Sequence, residues 1–273
     1  MAKPRKKFAE YLVESATEHK TAMDSYVECP ARTFLSYVCD AHDAFVHCEH
    51  KFTKKLDGTY NKDSEESLRH ISCALLGTIM GHFETFQKTV FAGLVERTGL
   101  LPKFDIDEFF RSLKRTTERE LVISPARLMA FRKLNAPVGL VLADSLNGWH
   151  DPARVVTYMK AILPTSDCFD SRALGDLRVL WQLRHSIVHT GAWLTFPDAQ
   201  KVQSLASWGG KPIIFEHTFV NAVARRLHFI VKGCNESLRD AASHALGRSP
   251  PEGVAANFSE FLEVSSPKAV WLS

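Results

Sequence analysis

The sequence predicts an all-α protein: a multi-helix bundle with a helical insertion and one small β-hairpin. Three observations carry that expectation. Apolar residues recur at spacings of three and four almost throughout the 273 residues, as in helices with one buried face. Strand-like alternation is scarce, which sets aside the usual mixture of helix and strand. Proline also stands repeatedly where a helix would begin, at Ser124-Pro125, Ala136-Pro137 and Asp151-Pro152. There its missing N–H costs nothing and its fixed φ suits the first turn.

Taken in order, Phe8, Tyr11, Leu12, Met23 and Val27 suggest a first helix that ends near Pro30. Phe34, Leu35, Val38, Ala41, Phe45 and Phe52 suggest a second, closed by the Asp57-Gly58 turn. A third runs from about Ser64 to Thr98 through Leu68, Ile71, Leu75, Ile79, Phe83, Phe86, Val90 and Leu94, with Gly99 placed as a left-handed cap. Shorter helices follow the three X-Pro starts, and Pro164 stops the last of them. Asp170 or Ser171 then caps a helix over 172–190, followed directly by Gly191. Between Ala192 and Phe215 the chain reads as loop, in which Trp193 to Phe196 and Pro212 to Phe215 pair as the hairpin. A final long helix fits Glu216 to Ala245 through Phe219, Val223, Leu227, Ile230 and Leu238. Residues 1–245 are expected to form one elaborated domain. Residues 246–273, with Pro250-Pro251 and Gly253, are expected to form a tail, extended or docked through Phe258, Phe261, Leu262 and Trp271.

With 45% hydrophobic and 24% charged residues, the chain can bury a sizeable core. Its formal charge of +3 advertises no global attraction to nucleic acid, so any RNA contact must come from a local patch. Lys3, Arg5, Lys6 and Lys7 form one basic cluster, read either as a solvated arm or as an RNA-phosphate contact. The six cysteines show no CxxC spacing and lie mostly inside apolar helical patterns, which points to reduced thiols. The start of the chain lacks a signal-peptide core, and no apolar stretch is long enough for a membrane span. The expectation is therefore a cytoplasmic protein with no membrane partner.

No GxGxxG, P-loop or GxSxG element occurs, so no cofactor is expected. Ser186 lies beside His185 but lacks a positioned third group, which leaves it a weak nucleophile. Cys39, His42, His47, Cys48 and His50 are zinc-ligand types on one helix, and His185 with His189 would add an i, i+4 pair. Their i, i+3 pairs point along different arcs, however, so no metal is expected.

The stretch Leu180-Trp-Gln-Leu-Arg184-His185-Ser186-Ile187-Val188-His189-Thr190-Gly191 places an arginine and two histidines at the end of an otherwise apolar helix. Arg184 shares its arc with Leu174, Leu177, Trp181 and Val188, so it must snorkel, pair with a carboxylate or face a cleft. Its fork of donors suits a phosphate. The plainer alternatives are a helix-end cation paired with Glu84 or Asp176, and for His189 a cap favoured by the helix dipole. Arg178 to His185 and Arg239 to His244 repeat the arginine-to-histidine spacing elsewhere. The apolar helix and its glycine stop single out Arg184 and His189.

Arg184-His185-x-x-x-His189 resembles the R-polar-x3-H motif of HEPN domains, a family of helical bundles. The flanking Ile187-Val188 and Thr190-Gly191 are similar too, as is the aromatic-rich Leu75-Leu-Gly-Thr-Ile-Met-Gly-His-Phe83-Glu84-Thr-Phe86, which resembles the long helix packed beside the motif helix. The resemblance implies a metal-independent endoribonuclease that acts as a homodimer, in the manner of toxins and abortive-infection or anti-phage defence effectors. It implies Arg184 for phosphate binding, His189 as general acid or base and His185 as the supporting polar residue; Arg178, Ser186 and Thr190 beside them are expected to contact RNA. The partners would be RNA, a second copy and an antitoxin or regulatory protein. The alternative is a catalytically inactive helical module of the same kind that binds RNA or a protein partner.

The chemistry fits the residue types. RNA cleavage without metal uses the ribose 2′-hydroxyl as nucleophile and needs a proton acceptor, a proton donor and positive charge for the transition state. Histidine titrates near neutrality and arginine stays charged. Positions five apart on an ideal helix diverge by about 140°, so Arg184 and His189 converge only if the helix end unwinds or two subunits face each other.

Overall fold

Proline and short polar side chains set most of the helix starts. The computed structural model describes residue 9 and residues 23–118, 123–133 and 136–273. Phe8, Tyr11, Leu12 and the basic cluster at 3–7 lie outside the described residues. Helix α1 (Met23–Glu28) leads into α2 (Pro30–Lys51), which has Pro30 in its first turn. A turn at Asp57-Gly58 follows, with Gly58 at φ 83° and the Thr59 amide donating to Asp57 Oδ1. Asn61 then caps α3 (Lys62–Glu96) by accepting from the Ser64 amide at 2.8 Å.

Gly99 does not close α3 in a left-handed conformation as expected. The helix instead tightens at its end through amides donating three residues back, Arg97 to Leu94 and Leu100 to Arg97, and Gly99 sits in the resulting 3₁₀ turn, Thr98–Leu100. Helix α4 (Ile106–Thr117) is an element the sequence reading did not specify. Its signal was present: Asp105 accepts from the Asp107 and Glu108 amides, and acidic residues fill the first turn.

The three X-Pro starts introduce α5 (Pro125–Lys133), α6 (Val138–Ser145) and α7 (Pro152–Ile162), with Pro137 one position before its helix rather than in it. Asp170 caps α8 (Ser171–Thr190). The hairpin is present but short: β1 (Trp193–Leu194) pairs antiparallel with β2 (Lys211–Pro212), Trp193 opposite Pro212. Phe196 is not in a strand; it opens the short helix α9 (Phe196–Gln200), which Thr195 caps. Helices α10 (Phe219–Leu246) and α11 (Val254–Phe261) follow, and the described residues form an all-α fold apart from that hairpin and a single antiparallel bridge between Lys54 and Tyr60.

Helix α3 is the axis around which the others pack, chiefly α6 and α2 and then α8. Leu76, Ile79, Met80, Phe83, Phe86, Val90, Phe91 and Leu94 bury its length in one continuous core. Helix α6 approaches closely because residue 139 is glycine. Its N–H donates to Glu96 Oε1 at 2.6 Å, and a β-carbon there would stand 2.2 Å from the Ala92 carbonyl oxygen. That neighbour is backbone and cannot rotate away. Gly139→Ala is therefore expected to lower stability by about 1–3 kcal/mol, read as a drop in Tm; an unchanged Tm would contradict this packing.

The last segment of the chain lies against α2 and α10. Phe258, Phe261 and Leu262 are buried, and Asn235 Nδ2 donates to the Leu262 carbonyl. His228, fully buried, lies 2.7 Å through Nδ1 from the Ala224 carbonyl and 2.8 Å through Nε2 from Ser266 Oγ. The carbonyl can only accept, so Nδ1 carries the proton and Nε2 accepts from the serine. Burial pushes the His228 pKa below the ordinary imidazole value, and does the same to His82. Below the ordinary histidine pKa of about 6.5, the unfolded chain binds more protons than the folded one. Stability is then intact above that pH and lost as pH falls through it. Tm should decline from about pH 7.5 to pH 5; a Tm that rises on acidification across that window would contradict the assignment.

Candidate active site

Helix α8 ends in an unusual turn that exposes one group of side chains and binds another to the core. Asp170 accepts from the Ala173 amide at 2.7 Å to start it. Leu177, Leu180, Trp181 and Leu183 bury most of its circumference. At the far end Gly191 and Ala192 both adopt left-handed conformations, φ 64° and 63°. Glycine takes this readily; alanine does so rarely. Their amides both reach back to the Ser186 carbonyl. The chain so reversed enters β1, and the Ile213 amide donates to the Ala192 carbonyl at 2.7 Å.

The helix stays regular to Thr190, so its end does not unwind. Arg184 and His189 consequently leave different faces of α8 within one chain. His185 and His189 do come together: both are exposed, with ring centroids 4.6 Å apart and planes tilted by 41°. Arg184 is half-buried, its Nε is buried without a hydrogen-bond partner, and it has no hydrogen bond or ion pair among the described residues. The Trp181 indole nitrogen on the same arc is likewise buried and unpaired. Neither carboxylate considered as a private partner for Arg184 serves as one. Glu84 holds Lys88 at 2.7 Å, and Asp176 holds Arg226 at 3.1 Å.

Of the residues expected to contact RNA, Arg178 is exposed and lies on the same stripe of α8 as the two histidines, at i+7 and i+11. Thr190 is half-buried, its hydroxyl within reach of the Ser186 and Trp193 carbonyls, and so ties the helix to β1. Ser186 does not face solvent at all. It is fully buried and its hydroxyl accepts from Gln182 Nε2 at 3.3 Å, so it packs inside the helix–core contact instead of meeting a ligand.

The sequence reading missed Asp198 and Lys201. Asp198, almost fully buried in α9, accepts from Thr195 Oγ1 at 2.9 Å and from Lys201 Nζ at 2.7 Å. The Lys201 hydrogen bond is the main reason its carboxyl lies below the ordinary value, and Thr195 and the nearby His185 add to it. The available signal was the short capping pattern Thr195-x-x-Asp198. The His185 pKa is lowered, first by burial of part of the ring; Asp198 pulls it the other way, and His189, Lys201 and Arg184 push it further down. A histidine of lowered pKa is largely neutral at physiological pH and able to accept a proton.

Exposed apolar side chains also stand on α8 and on the segment that follows it. Val188, Trp193, Phe196, Trp208 and Ile214 are each exposed, Phe196 and Ile214 at 66%. Lys211 Nζ lies over the Trp208 ring, 5.1 Å from its centroid.

The zinc-ligand types on α2 have other neighbours. His42 meets Asp43 and Lys268, while Cys39 lies beside His228 and Ser266. Among the described residues no group of three or more His, Cys, Asp or Glu is arranged to hold a metal ion. All six cysteines carry free thiols, five of them buried. Among the described residues no helix is long and apolar enough to cross a membrane.

Comparison with known proteins finds no matching family model, no similar curated protein and no similar solved structure.

Proposed function

We propose that the chain is a HEPN-type, metal-independent endoribonuclease whose site is completed by a second copy of itself, acting as a toxin or anti-phage defence effector. One observation carries the reading: a guanidinium with no counter-charge among the described residues and two adjacent exposed imidazoles share one helix end. An unpaired, partly desolvated arginine is costly unless an anion meets it, and a phosphodiester is an anion that fits its donors.

Within one chain Arg184 and His189 diverge, so the reading needs two copies. The exposed apolar side chains of Val188, Trp193, Phe196 and Ile214 supply a surface for a second copy to cover. In the composite cleft Arg184 holds the scissile phosphate and offsets the charge that builds in the transition state. The neutral His185 or its neighbour His189 accepts the 2′-hydroxyl proton, and the other returns a proton to the leaving 5′-oxygen. Asp198 and Lys201 hold the loop behind His185.

The test is to incubate purified protein with RNA in excess chelator and identify the ends. Cleavage that yields a 2′,3′-cyclic phosphate and a 5′-hydroxyl is expected. Intact RNA, or cleavage only after a divalent metal is added, would refute the proposal.

A further inference from the structure

A cavity of about 710 Å³ lies between the start of α8 and one face of α10. Its volume falls in the range of small-ligand sites. Arg172 lines it from α8; Arg225, Phe229 and Gly233 line it from α10. The acidic side chains at its rim are already engaged. Asp170 accepts the Ala173 amide, Asp176 holds Arg226, and Asp167 holds Lys160 at 3.3 Å. Arg172 and Arg225 have no hydrogen bond or ion pair among the described residues. Two guanidiniums from opposite walls thus line one cavity with no carboxylate among the described residues paired to either.

Two further features give the cavity a shape. Phe229 is half-exposed at 48% within it, an aromatic face with no aromatic partner among the described residues. Gly233 stands inside the 28-residue helix α10, where glycine weakens the helix. No close packing requires it, because a β-carbon there would meet nothing within 4 Å. Its effect is to leave the cavity unfilled.

We propose that this cavity binds a small ligand with a phosphate group and an aromatic ring, of nucleoside monophosphate size. The guanidiniums of Arg172 and Arg225 take the phosphate, and the ring rests on Phe229. The proposal stands on the cavity alone and not on RNA cleavage. Arg172 and His185 are 13 positions apart on α8, which puts the two sites about 20 Å from one another.

Calorimetric titration of the full chain with AMP, inorganic phosphate and adenosine tests it. Saturable AMP binding is expected, with phosphate and adenosine each at least about tenfold weaker because each makes only half of the contacts. The double change Arg172→Gln and Arg225→Gln, both at exposed side chains, should weaken AMP by about tenfold or more. Gly233→Leu should abolish binding by filling the space without lowering Tm. No saturable AMP binding up to about 5 mM, a complex weaker than ordinary recognition requires, would overturn the proposal. So would AMP affinity unchanged in either variant, or phosphate binding as tight as AMP.

Discussion

His189→Ala is expected to lower RNA cleavage by about 10²–10⁴-fold, the range for losing a positioned acid or base, and to leave stability within about 0.5 kcal/mol of the parent. The second half of that statement follows from exposure. His189 stands in solvent and touches chiefly the His185 ring, so its removal takes nothing from the core. Arg184→Ala is expected to lose at least as much activity, since it removes the guanidinium proposed to hold the phosphate. Its folding cost should be small, because its buried Nε makes no hydrogen bond that would be lost. Cleavage by either variant at the parent rate, with folding intact, would end the nuclease reading.

The largest stability effect is expected at Phe83. Phe83→Ala should cost about 3–5 kcal/mol, or a Tm lowered by roughly 2–4 °C for each kcal/mol in a chain of this size. Phe83 is fully buried on α3, with the rings of Phe34, Phe86 and Phe169 at 5.4, 5.7 and 6.2 Å. It therefore joins α2, α3 and the residues that lead into α8. Emptying that position leaves a cavity where three elements meet and loosens the base of the helix that carries the histidines. Thermal unfolding measures this; a loss below about 1 kcal/mol, the typical size for an arbitrary substitution, would mean that α8 is held by something else.

Helices whose signal is local were legible. Asp170 before α8 caps as a short polar residue does, and the proline starts at 125 and 152 hold because proline at a first turn breaks no bond. Tertiary context decided the rest. Gly99 had the right residue type for a left-handed cap, yet the chain closed α3 by shorter 3₁₀ bonds. Phe196 looked like strand, but Thr195 and Asp198 made a helix start of it. In the candidate site the spacing of Arg184, His185 and His189 could be read directly. The burial of Ser186 could not, because the face of α8 that carries it is covered by elements distant in sequence. Asp198 and Lys201 were hidden for a related reason, since a loop of unknown path brings them behind His185.

The proposed site requires guanidinium and imidazole to reach one phosphodiester from two copies of the chain. Co-expressing Arg184→Ala with His189→Ala under different tags, and assaying the purified mixed dimer, tests it directly. The mixed dimer has one centre with both groups intact and one with neither, so it should recover about half of the parent activity while each single variant remains inactive. A mixed dimer as inactive as its parents, or a protein that stays monomeric while it cleaves RNA, would contradict the account.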